Sequence, residues 1–131
     1  MKDLLCSQFQ ETVAESLIRH KGMVDAMTKL QESVARVNRA IAKAANQCGC
    51  IRIVAEKQKL PEEISLADMQ SLIDTDIEGQ ICENCRDVLE TEIGSTLFYL
   101  TAVLNAVDLS LYDCLLKEHK RIKALGLFHF S

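Results

Sequence analysis

Two cysteine pairs carry the clearest chemistry in the chain. Cys48 and Cys50 stand in "NQCGCIRIVAEKQ" with one glycine between them, and Cys82 and Cys85 stand in "ICENC". Thiolates from two such pairs can surround one Zn²⁺ ion tetrahedrally, each sulfur about 2.3 Å from the metal. The same residues leave three other outcomes open: an iron–sulfur cluster, which also needs four convergent thiolates, a redox dithiol, and free thiols packed in a core. A redox role for "CENC" alone lacks the βαβ setting of a thioredoxin-like motif. Cys6 and Cys114 fall at apolar helical positions and read as small core residues.

For the pairs to meet, residue 48 must lie beside residue 82. One Pro and five Gly in 131 residues leave few breaks in a nearly continuous helical pattern, so an all-α chain is expected. The first predicted helix, about Asp3 to His20, sets Leu4, Leu5, Phe9, Val13, Leu17 and Ile18 on one side. The second carries a heptad-like seam, Met23, Met27, Leu30, Val34, Val37, Ile41 and Ala44, and stops at "CGC", where Gly49 can cap it. An insert follows at about 51–81. It contains Ile51 and Ile53 as a short extended piece, Pro61 as a break, a short helix with Ser65 as its N-cap, and a closing loop "DTDIEGQ". The third helix, about Cys82 to Val107, repeats the four-three spacing at Leu89, Ile93, Thr96, Leu100, Val103 and Val107, and "SLYDCLLKEHKRIKAL" forms the last before Gly126.

Antiparallel packing of the second and third helices puts both cysteine pairs at the base of one hairpin. Arg36 lies 12 residues before Cys48 and Gly94 lies 12 after Cys82, so the helix middles face each other roughly 18 Å from the thiols. A metal there would staple the two ends of the insert and offset the entropy of closing it. A CxxC at a helix start also sets its sulfurs near free N–H groups, which favours the thiolate.

The chain is expected to form a single helical domain over 1–131, long enough for one core. A net charge of -4 and a pI near 5.4, with basic residues interspersed among acids, argue against nucleic acid as a partner. Asp3, Glu11 and Glu15 interrupt the N-terminal apolar spacing, so no signal-peptide core is read, and no stretch has the apolar length of a membrane span. A cytoplasmic protein with reduced thiols is the expectation.

A second constellation lies in "KLQESVARVNRA" and "LETEIGSTLFYL". Together with the "LNAVDLSLYDCLLKEHKR" that follows, these resemble the all-α nucleoside triphosphate pyrophosphohydrolase superfamily, the MazG-like proteins, in which EExxE on one helix faces ExxD on the next in a setting such as "EELGDVLFYL". The resemblance implies a MazG-like bundle of four main helices, with the cysteine-flanked insert between helices 2 and 3. It also implies a nucleotide ligand and Mg²⁺ held by paired carboxylates. Glu32 stands at the first acid and Glu92 at the acid of the second motif, whereas Ser33, Arg36 and Ser95 replace the other expected ligands. Two carboxylates with a guanidinium among them hold Mg²⁺ far more weakly than five carboxylates, and Arg36, four residues after Glu32, can pair with it.

The expected function is therefore a non-catalytic, zinc-stapled interaction or regulatory module. A divergent Mg²⁺-dependent pyrophosphohydrolase using Glu32, Glu92 and Glu90 is the alternative, and a thiol redox or iron–sulfur sensor the third. A homodimer is expected because narrow seams leave apolar helix faces uncovered. The whole chain also resembles small proteins of anaerobic Gram-positive bacteria, which adds no activity. His20, His119 and His129 are dispersed and read as solvated or helix-terminal.

Overall fold

The computed structural model describes residues 4–16, 22–57 and 76–126. Leu17, Ile18, His20, Pro61, Ser65 and His129, with the short helix expected in the insert, lie outside them. Among the described residues the chain is all-α apart from one two-stranded sheet. Helices α1 (Leu4–Ser16) and α2 (Met23–Lys43) precede a π-helical turn (Ala44–Cys48). Strands β1 (Ile51–Ile53) and β2 (Ile77–Gly79) follow, then helices α3 (Glu83–Ala106) and α4 (Leu111–Leu125). Among the described residues no single helix is long and apolar enough to cross a membrane.

The dominant packing is α2 against α3, joined at one end by the β1–β2 hairpin. Arg36 and Glu92 line one pocket, as do Ala40 and Val88, while Ala44 and Cys85 line the next, which fixes an antiparallel register. The face of α2 turned to α3 consists of Ala26, Leu30, Ser33, Val37, Ala40 and Ala44, all buried or half-buried. The predicted seam is thus corrected: Met27 and Val34 on α2 and Ile93, Leu100 and Val107 on α3 are exposed. Small side chains occupy the contact because they let two helix backbones approach closely. Ser33, the most enclosed of them after Ala44, turns its Oγ to donate to the Leu30 carbonyl at 2.7 Å, so the hydroxyl is buried without an unmet donor.

Helix α1 covers one end of this pair, where Val13, Ala26 and Ala102 form a small core with Phe9, Phe98 and Val103 packed on it. Phe98 and Tyr99 are half-buried and meet edge to face at 5.1 Å. Cys6 is buried as expected, but Leu4 and Leu5 are exposed. Cys114, expected in the core, is also exposed, because α4 turns away from α3 by 105° and buries none of its residues.

Gln10 fastens α1 to that corner. Its Nε2 donates to Asn105 Oδ1 at 3.0 Å and to the Leu109 carbonyl at 2.9 Å, and its Oε1 accepts from the Leu111 amide at 2.7 Å. The Leu111 amide opens α4 and has no partner within its own helix, so Gln10 satisfies a group that the helix geometry leaves free. Ser110 caps the same end, accepting from the Asp113 amide at 3.1 Å.

The end of the insert differs from expectation. "DTDIEGQ" was expected as loop, yet Ile77–Gly79 is a strand paired antiparallel with β1, in the register Ile51 to Gly79, Arg52 to Glu78 and Ile53 to Ile77. The Val54 amide extends the ladder to the Asp76 carbonyl at 2.6 Å, and Arg52 and Glu78 approach to 3.9 Å across it. Three residues with no buried side chain give no alternation to be read as a strand, and pairing with β1 supplies what the local pattern lacks.

Candidate metal centre

The hairpin base gathers all four cysteines of the two pairs. Each element end is shaped by a local rule. At the end of α2, the Gly49 amide donates to the Ala44 carbonyl at 2.9 Å, closing a five-residue π turn that places Cys48 at its last position. Gly49 then takes the left-handed conformation (φ 80°), which a glycine adopts without penalty, and the chain reverses so that Cys50 returns beside Cys48. The Cys50 thiol faces the Ala44 carbonyl at 3.8 Å.

Cys82 is the N-cap of α3. Its extended backbone points the sulfur at the open helix end, where it accepts from the Cys85 amide at 3.4 Å. Cys85, one turn into the helix, lies on the side facing α2. Opposite, Gly79 (φ 87°) passes so close to β1 that a Cβ there would lie 2.7 Å from the Cys50 carbonyl oxygen. A glycine at 79 is what lets the two strands close beside the thiols.

The Cys48 and Cys82 sulfurs are 3.8 Å apart, and the four sulfurs all lie within 4.8 Å of one another. None of the six cysteines is joined in a disulfide. Cys48 is exposed and the other three of the cluster are half-buried, so the group sits at the surface, bordered by a pocket of about 250 Å³ between Lys43, Gln47, Asn84 and Val88. Four cysteines this close could hold a metal ion. Among the described residues no other group of three or more Cys, His, Asp or Glu side chains converges in this way.

The thiols are electrostatically unequal. The Cys85 amide donating to the Cys82 sulfur, reinforced by the Cys85 thiol, lowers the Cys82 pKa to about 7. Cys85 moves the other way, to about 12, first because its own proton is held on the Cys82 sulfur and then through burial. The expectation that a helix start favours both thiolates is therefore corrected. The cap geometry favours one thiolate, at Cys82, and Cys85 keeps its proton to serve it.

No family model, curated protein or solved structure matches this chain. The site's chemistry is accordingly carried by its own atoms.

The acids of the second constellation are dispersed. Glu32 is exposed and bonded to Arg36 at 2.6 Å, with Lys29 at 3.7 Å. Glu92 is half-buried in a pocket of about 250 Å³ with Arg36, Arg39 and Lys43, and its Oε2 is shielded from solvent without a hydrogen-bond partner. Glu90 lines a different, open groove with Glu83, Arg86 and Asp87. Ser95 is half-buried, and His119 is exposed on α4 near the Glu118–Arg121 pair. The π turn and the cationic pocket were both missed from sequence. The signal for the pocket was present in the three-four spacing of Arg36, Arg39 and Lys43, which places them along one flank of α2.

Proposed function

We propose that the chain is a non-catalytic helical module stapled by one Zn²⁺ ion held by Cys48, Cys50, Cys82 and Cys85, and that it acts by presenting its helix pair to a partner. The convergence of the four sulfurs within 4.8 Å carries this reading. Tetrahedral zinc with sulfurs at about 2.3 Å requires them to be about 3.8 Å apart, the spacing that Cys48 and Cys82 already have. Four protein thiolates fill the shell and leave no position for a reactive water, which is the pattern of a structural rather than a catalytic site. The ion would hold the end of α2 against the start of α3 and close the insert at its base.

Elemental analysis of protein purified anaerobically tests this, with about one zinc per chain expected. Metal must displace thiol protons, so affinity falls as pH falls. Because Cys82 is held near 7, the protons released per metal ion should rise by one as pH drops through about 7, read by chelator competition at several pH values. Iron in place of zinc would point to the redox or cluster reading, and neither metal would leave ordinary thiols or a redox couple.

A second reading has an observation of its own. Arg39 and Lys43 face the Glu92 pocket beside Arg36, giving a locally cationic groove on an acidic chain. Such a groove suits the phosphates of a nucleotide, bound directly by cations where the MazG-like pattern would use Mg²⁺. Titration calorimetry with a nucleotide panel should then show binding without Mg²⁺ that weakens at least tenfold in Arg39→Ala. Release of pyrophosphate with Mg²⁺ or Mn²⁺ would favour the enzyme reading instead.

A further inference from the structure

The apolar seam of α2 is wider than α3 can cover. Leu30, Val37 and Ala44 turn toward α3, whereas Met27 and Val34 stand to one side of that contact and are exposed. On α3, Ile93, Leu97 and Leu100, spaced four and three, are exposed as well. In the antiparallel register Val34 lies level with Ile93, and Met27 with Leu100. Helical rotation of about 100° per residue puts all five on the same side of the pair. Their exposures run from 38% to 56%, together on the order of 400 Å² of apolar surface, as large as the largest patch on a typical monomer.

Charge is distributed to match. Asp25, Lys29, Glu32, Arg36, Arg39 and Lys43, every charged residue of α2, recur at four-three spacing along the other flank. The apolar flank carries Met23, Met27, Gln31, Val34, Asn38 and Ile41, and no charge. Helix α1 cannot cover it, because its core residues Phe9 and Val13 meet Ala26, Phe98, Ala102 and Val103, which lie toward or beyond the α2–α3 contact on the opposite side.

We propose that this face binds a second copy of the chain, the two α2–α3 pairs forming a four-helix bundle with Met27, Val34, Ile93, Leu97 and Leu100 at its centre. Two features select a second copy. Both helices offer heptad-spaced apolar stripes at matching levels, which is the self-complementarity a two-fold interface requires. The five side chains supply about half of the ~800 Å² per partner of a standard interface, and half-buried Met23, Ile41 and Leu89 flank them. The seam then points between two neighbours, α3 and the second copy, which explains why its centre does not coincide with the contact inside one chain. This interface stands independently of the metal reading.

Sedimentation equilibrium of the full chain at ~10 µM, with zinc content measured on the same samples, tests the proposal. The expected mass is twice 14.7 kDa. Val34→Lys and Leu97→Glu, read separately, should each weaken association at least 100-fold and leave a helical monomer with unchanged metal content, while Arg39→Glu on the other flank stays dimeric. A monomeric wild type overturns the proposal, as does a dimer indifferent to both face variants. Loss of zinc with the dimer intact would instead count against the metal reading alone. Should one face variant unfold, as judged by circular dichroism, the other variant and the wild-type mass still decide.

Discussion

Cys82→Ser should abolish tight metal binding while leaving the metal-free protein as stable as the wild type. Serine is among the best N-cap residues, so the variant keeps an acceptor for the Cys85 amide that the Cys82 sulfur now holds at 3.4 Å, and the start of α3 is preserved. What it loses is one of four candidate ligands, the one whose pKa is lowered to about 7. A metal present at a thousandfold its Kd stabilises the folded state by about 4 kcal/mol, which for a domain of this length is roughly 15 °C in Tm. Thermal unfolding of both proteins, with zinc and with excess chelator, checks this. The wild type should fall by about that amount on chelation and Cys82→Ser should not move. A large deficit in the chelated variant would mean that the cysteine serves packing and not metal.

Gly79→Ala is expected to have the next largest effect, although residue 79 is no ligand. A Cβ would lie 2.7 Å from the Cys50 carbonyl oxygen, and the backbone at φ 87° disfavours any side chain. Left-handed backbone costs a non-glycine residue about 1–2 kcal/mol, and backbone cannot yield as a flexible side chain would. A total of about 3 kcal/mol is expected, using the usual cost of a strained backbone as its scale. Because the displaced carbonyl belongs to a candidate ligand, zinc affinity should drop on the order of 100-fold by the same linkage. Gly49→Ala provides the comparison: φ is 80° there, but nothing lies within 4 Å of the added methyl, so only about 1 kcal/mol is expected. Chelator competition and thermal melts on both variants read the difference. Equal losses at 49 and 79 would show that the close approach to β1 is unimportant.

The candidate centre could be read from sequence because helical periodicity constrains distant residues strongly. Two seams, one ending at Cys48 and the next beginning at Cys82, bring the pairs together once the helices pack antiparallel, as α2 and α3 do. Pairing of Arg36 with Glu32 followed from their spacing for the same reason. Strand β2 was not legible, since Ile77 and Glu78 acquire their conformation from partners in β1 about 25 residues earlier in the chain. Cys114 misled because apolar spacing along α4 says nothing about whether another element covers it. Thiol inequality was hidden too: CxxC places two sulfurs at a helix start, but only the capping one receives an amide, and that depends on the backbone at Cys82.

The π turn at Ala44–Cys48 has a consequence for how this protein tolerates change. Widening one turn by a single residue rotates everything after it by about 100° relative to a continued α-helix. The turn therefore sets the phase at which the chain leaves α2, and with it the direction from which Cys48 meets Cys82. Substitutions along the outer flank of α2 leave that phase alone. Removing one residue between Ala44 and Gln47 would swing Cys48 around the helix axis with all four cysteines still present, making this segment sensitive to length and comparatively indifferent to composition.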